Sequence, residues 1–152
     1  MKTAYLVHID KRVKDNLPPL VLDAKQTSTV VENLINGNDE AFYLDLLTHR
    51  VPPGVDEAAY VKASFLTSVA KGEQTCHAIN QQQATFLLGT MMGGYNITPL
   101  IELLDIDATA QTACDGINQT WENLMSSSVK PTTQQSIYLL LPVAQGDLSL
   151  SA

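Results

Sequence analysis

Acid–base or nucleophilic chemistry in this chain would have to come from three histidines, two cysteines and scattered carboxylates. Cys76 and His77 are adjacent, yet a thiolate nucleophile needs a base at hydrogen-bond distance and a group that orients the base, which adjacency does not supply. His8, His49 and His77 fall in different segments, and none shows a ligand spacing such as H-E-x-x-H. Cys76 and Cys114 lack a C-x-x-C spacing; they are too few for a disulfide scaffold, a structural zinc or an iron–sulfur site, and read as reduced thiols. "MMGGYN" offers Gly93-Gly94 as a backbone anion nest, but it has no Walker lysine and lies between helices, so it reads as a helix terminator. Glu102, Asp105 and Asp107 form an acidic group that could hold a cation loosely, and helix capping by Asp105 or Asp107 accounts for it. The residues therefore name no catalytic, cofactor-binding or metal site.

The elements that would position these groups are helical. Leu6, Ile9, Val13 and Leu17 share one face before Pro18-Pro19, predicting a helix over about 3–15. Asp23 with Gln26 is a capping-box pattern ahead of Val30, Val31, Leu34 and Ile35, and Gly37 stops that helix. Asn38 is the expected cap of a shorter helix carrying Phe42, Tyr43, Leu46 and Leu47. After Pro52-Pro53-Gly54, Asp56 caps a helix with two adjacent stripes, Ala58/Val61/Phe65/Val69 and Ala59/Ala63/Leu66/Ala70, wide enough to need neighbours on two sides. Asn80 with Gln83 repeats the capping box before Ala84, Leu87, Leu88 and Met91, closed by Gly93-Gly94. Thr98 is read as an N-cap with Pro99 at the first helical position. A last helix over about 108–126 carries Ala110, Ala113, Ile117, Trp121 and Leu124, with Gly116 as an unfavourable interior residue.

Composition agrees with one packed domain. At 152 residues, 45% hydrophobic and 16% charged, the chain is long enough to bury roughly 68–70% of its unfolded surface. Aromatics are only 6%, so aliphatic residues must build the core. Eight of the nine basic residues lie at or before Lys71, and the formal charge is −7. Nucleic-acid binding, which rests on clustered Lys and Arg, is therefore not expected; Lys2, Lys11, Arg12 and Lys14 read as a solvated helix face. No signal-peptide h-region or membrane-length apolar run is seen, and a cytoplasmic location is the expectation.

Leu46-Leu47 and Leu87-Leu88 recur 41 residues apart, each ahead of a Pro-Pro or Gly-Gly break. That period and the wide stripes predict an all-α fold of about seven helices stacked as HEAT-like antiparallel pairs. The domain is expected over residues 1–128. Residues 129–152 form a different segment in which Ile137, Tyr138 and Leu140 lie in an uncharged β-prone run. It is either a helix or strand docked on the last pair or an association tail.

"DLLTHRVPPGVDEAAYVKASFL", "LLGTMMGGYNITPLIELL" and "LPPLVLDAKQTSTVVENLI" resemble signature stretches of the amino-terminal HEAT-like domain of bacterial aconitase B. The likeness covers about residues 3–125 and fades beyond Met125. The resemblance implies a helical domain that takes part in homodimer formation and borders the route to an active site. It also places the [4Fe–4S] cluster, its three cysteines and the substrate residues in later domains, so that Cys76 and Cys114 inherit no ligand role. The family carries a histidine in an N-I-H-P-L run where this chain has Thr98, and an asparagine where it has His49; a tunnel-lining role for that histidine is lost or altered here.

The function expected is that of a non-catalytic interaction module without a cofactor, associating with itself as a homodimer or with aconitase B, and with neither nucleic acid nor membrane. The candidate contact residues are Arg50, Pro52, Pro53, Met91, Met92, Tyr95, Asn96, Ile137, Tyr138 and Leu140. The alternatives are a binder of small carboxylic acids in a groove near Met91, Met92, Tyr95 and Asn96, or a truncated gene product without a task.

Overall fold

Several helix boundaries have a local chemical cause. The structure is a computed structural model that describes residues 2–126. Its α-helices are α1 (Lys2–Lys14), α2 (Ala24–Ile35), α3 (Glu40–His49), α4 (Glu57–Ala70), α5 (Gln81–Gly89), α6 (Ile97–Glu102) and α7 (Ala110–Ser126), with a 3-10 turn at Leu103–Asp105. The fold is all-α among the described residues. Ile137, Tyr138, Leu140 and the rest of the tail lie outside them. Met1–Thr120 forms one compact unit; Trp121–Ala152 is a second, described only through the end of α7.

Both capping boxes form. The Gln26 amide donates to Asp23 Oδ1 at 2.7 Å while the Asp23 amide donates to Gln26 Oε1 at 3.1 Å, and Asn80 with Gln83 does the same at 2.8 and 3.0 Å. Asp56 caps α4 through the Ala59 amide at 2.8 Å. Three helix ends also share one geometry. Asn16, Gly37 and Gly72 adopt left-handed backbone, and in each case that residue's own amide and the next one donate back to the last turn, as Gly72 does to Val69 and Glu73 to Ser68. This Schellman arrangement satisfies carbonyls that the helix leaves unpaired.

Four readings of the local sequence are corrected. The N-cap position of α3 is Asp39, in left-handed backbone and without a side-chain cap bond, because the Asn38 side chain bonds Asn33 instead. Helix α5 ends at Gly89, before Gly93-Gly94. The N-cap position of α6 is Asn96, which leaves Thr98 inside the helix. The start of α7 follows Thr109, whose hydroxyl donates to Leu103 and Ile106 carbonyls; Asp105 lies in the 3-10 turn.

Packing runs in a line. Helix α2 lies against α3 and α4, α4 also against α5, and α5 against α6, so that an inner helix buries surface on more than one neighbour. The core includes Val30 and Leu34, Leu46 and Leu47, Leu66 and Val69, Ala84 and Leu88, Leu100, Leu103 and Ala113. Gly116 is explained by this packing, since a Cβ on Gly89 would stand 2.7 Å from the Gly116 Cα. The two glycines let α5 and α7 touch backbone to backbone, which outweighs the helix propensity lost at each.

The predicted face of α1 is not the one that packs. Tyr5 is buried and Ile9 reaches the core, whereas Leu6, Val13 and Leu17 are 42%, 60% and 45% exposed. Tyr5 meets the Phe42 ring edge-on at 6.5 Å, and Lys2 pairs with Asp39 at 2.6 Å while lying over Phe42. These contacts turn the helix so that its most apolar stripe faces outward.

Candidate interaction site

Two loops meet at one place on the surface. Pro52 and Pro53 set the path from α3 to α4 with fixed φ, and Gly54 follows in positive-φ backbone. Its amide donates to the Met92 carbonyl at 2.9 Å. From the other side the Tyr95 hydroxyl donates to the Val55 carbonyl at 2.9 Å, and the Tyr95 ring lies edge-on to Tyr60 at 5.4 Å. Gly93, at φ 126°, approaches so closely that a Cβ there would lie 2.2 Å from the Gly54 oxygen. The glycine is thus required by contact between backbones as well as by conformation.

Asn96 anchors the second loop from beneath. Only 1% exposed, it donates through Nδ2 to the Leu88 and Met91 carbonyls at 3.0 and 3.2 Å. Those carbonyls belong to the C-terminal turn of α5 and the residues after it, where intrahelical donors run out. Asn96 therefore holds the exit of α5 to the start of α6, and its Oδ1 is buried without a protein partner.

Of the residues singled out from the sequence, the structure gathers Pro52, Pro53, Met91, Met92, Tyr95 and Asn96 around this junction. Arg50 points elsewhere. It ends α3, its carbonyl accepts the Leu22 amide at 2.8 Å, and its charge acts on the Tyr5 phenol, whose pKa burial pushes up. Val55 and Tyr60 lie in the first of the quoted signature stretches but were not singled out there, and they complete the exposed surface. Val55, Tyr60, Met92 and Tyr95 are 68%, 58%, 63% and 36% exposed.

Lys62 was also unmarked. It is buried on α4, and its ammonium donates to the Thr48 carbonyl at 3.3 Å, at the negative end of α3. Burial lowers its pKa from 10.5 to about 8. A signal existed, since Lys62 stands four residues after Ala58 and four before Leu66, on the face the stripes define.

The groups that suggested chemistry are engaged separately. The Cys76 thiol donates to the Leu34 carbonyl at 3.8 Å, and exposed Cys114 accepts from Asn118 at 3.8 Å. Two sulfurs so placed on different elements do not fit an iron–sulfur cluster. Glu102 is paired with Lys71 at 2.7 Å, a hydrogen bond that raises the lysine pKa. Among the described residues no three of His, Cys, Asp and Glu gather as a metal-holding group. His49 does have a carboxylate at helical spacing, Asp45 at 2.9 Å, but both side chains are exposed.

The family described as the aconitate B N-terminal domain matches residues 4–135. This chain belongs to that family. The match runs past Met125, where the likeness read from the motifs fades. As an aconitate B N-terminal domain, the chain is 51% identical over 122 residues to aconitate hydratase B of Pseudomonas aeruginosa, covering 79% of itself and 14% of that relative. The Synechocystis protein of the same name is 50% identical over 124 residues, and the Escherichia coli protein 48% over 122, with the same coverage. The domain thus spans about one seventh of the length of the curated relatives it matches. No helix among its described residues is long and apolar enough to cross a membrane.

Proposed function

We propose that the chain is a cytoplasmic, non-catalytic protein-interaction module that associates with itself or with an aconitate hydratase B chain. The observation that carries this reading is its place in a family of N-terminal domains, matched to only 14% of each full-length relative named above. The hydrogen-bonded loops agree with it, since they present exposed aromatic and methionine side chains, the residue types that concentrate at interfaces.

The test is size-exclusion chromatography with light scattering on the full chain and on a form ending at Ser128, together with titration against intact aconitate hydratase B. A dimer that becomes a monomer on truncation assigns self-association to the tail; binding to the longer protein supports the second mode. A monodisperse monomer that binds neither overturns the proposal.

A small-molecule reading has its own observation. A cavity of about 380 Å³ opens between α1 and the lead into α2, lined by Tyr5, His8, Leu20, Val21 and Asp23 among others. This volume falls within the range of ligand sites, and it lies away from the groove expected near Met91 and Tyr95. His8 Nε2 accepts the Leu20 amide at 3.2 Å. A thermal-shift screen with citrate, isocitrate and related acids decides this reading, because a saturating ligand raises the melting temperature by mass action. No shift with any of them rejects it.

A further inference from the structure

This inference goes beyond both readings above and concerns the cavity beside α1. We propose that the cavity is a binding site for a small organic cation, an amine carried on an apolar body. Its volume of about 380 Å³ falls within the range of ligand sites, and its wall is held in place by the chain itself. Pro18 and Pro19 fix the path into the segment, the Leu20 amide donates to His8 Nε2 at 3.2 Å, and the Leu22 amide donates to the Arg50 carbonyl at 2.8 Å. Leu20 and Val21 nevertheless stay exposed, which leaves apolar side chains for the body of a ligand to cover. Tyr5, also in the wall, is 6% exposed, and its hydroxyl oxygen has no hydrogen-bond partner among the described residues. A buried phenol left in that state is unfavourable, and an N–H from a ligand offsets this.

Charge selects the class of ligand. Asp23 is the one fully charged group among the lining residues, which include no Lys or Arg. Its Oδ1 accepts the Gln26 amide at 2.7 Å, and its Oδ2 meets no donor among the described residues. The dipole of α2 sets about half a positive charge at this end, and the full charge of Asp23 outweighs it. Because His8 accepts through Nε2, its ring carries the proton on Nδ1 and is uncharged. The neighbouring cations are engaged elsewhere: Arg12 donates to the Pro18 carbonyl at 2.9 Å, and Lys2 pairs with Asp39. Arg50 and Asp45 act on the Tyr5 phenol with opposite signs and do not line the cavity. A carboxylate would face Asp23 with no basic residue in the wall to meet it. An ammonium finds a carboxylate oxygen and the rings of Tyr5 and His8.

The experiment is an amide NMR titration of the full chain, at constant ionic strength, with three probes that share a phenyl body: phenethylamine, 2-phenylethanol and 3-phenylpropionate. The Leu20 and Gln26 amides, bonded to His8 and Asp23, report on the two walls. Saturable shifts of both with phenethylamine, about tenfold tighter than with either other probe, are the expected result. Asp23→Asn keeps an N-cap of equal rank and should weaken the amine about threefold to fivefold while leaving 2-phenylethanol unchanged. An alcohol that binds as tightly as the amine, or an amine affinity unmoved by Asp23→Asn, overturns the assignment of a cation and leaves a ligand site in place. Binding of 3-phenylpropionate or citrate at least as tight as that of the amine returns the cavity to the acid reading. No saturable shift with any probe or with citrate overturns both. The three-probe comparison is made on the wild-type chain, so it decides between these outcomes even where Asp23→Asn lowers stability.

Discussion

Helices α1 and α4 carry similar patterns and meet opposite fates. Helix α4 buries Ala58, Ala59, Lys62, Ala63, Phe65, Leu66, Val69 and Ala70, while α1 buries only Tyr5. On α4 the alanines let α2 and α5 approach from two sides, and even a lysine is enclosed. On α1 a few side-chain contacts to α3 orient the helix, and Leu6 and Val13 stay in water. An apolar stripe thus records a capacity for burial, and the number of neighbours determines how much of it is used.

Truncation should separate the two helices most sharply. Leu66→Ala on α4 removes a side chain with 0% exposure and should destabilise the chain by about 2–5 kcal/mol, measured by urea unfolding. If the loss is below about 1 kcal/mol, α4 is not the central helix of the core.

Lys62→Met tests the same face with the opposite sign. The lowering of the Lys62 pKa from 10.5 to about 8 corresponds to about 3 kcal/mol against the charged form, and losing the bond to Thr48 offsets about 1 kcal/mol of the gain. The variant should be more stable than wild type by about 2 kcal/mol at pH 7. Between pH 8 and 10.5 the unfolded chain holds a proton that the folded chain has released. Wild-type stability from this group therefore rises across that window, and the advantage of the variant shrinks. Paired denaturation curves at pH 7 and 10 measure both; an advantage that does not change with pH would mean that Lys62 is not enclosed.

Asp56→Ala removes the α4 cap and should cost about 1 kcal/mol, with the Ala59 amide exchanging faster in hydrogen exchange. The smallest effect belongs to α1, where Leu6→Ser should change stability by no more than about 0.5 kcal/mol. A larger loss in the same urea titration would show that the outward stripe is covered in solution.

Most helix boundaries were legible because capping is a local transaction. Asp23 with Gln26, Asn80 with Gln83, and Asp56 each act within one turn, so spacing along the chain is enough to find them. The misread caps have a common origin. Asn38 was read as a cap, but its side chain bonds Asn33; Thr98 was read as a cap, but the N-cap position of α6 is Asn96, whose side chain turns to the Leu88 and Met91 carbonyls. Gly116 looked unfavourable because propensity is a property of one helix, whereas its role is a contact between two.

The candidate site divides in the same way. "RVPPGVD" and "MMGGYN" were visible as loops, but their 40-residue separation, closed by the Tyr95–Val55 hydrogen bond, was not. The sequence alone determined the all-α class, the capped starts of α2, α4 and α5, the glycine stop at Gly37 and, through its long motifs, the family. Only the tertiary structure decided which stripe of α1 faces water, that Lys62 is enclosed, and that two distant loops form one surface. The physical reason is range: hydrogen bonds along the chain are set by neighbours a few residues away, while burial and loop-to-loop contact depend on how helices far apart in sequence come to lie side by side.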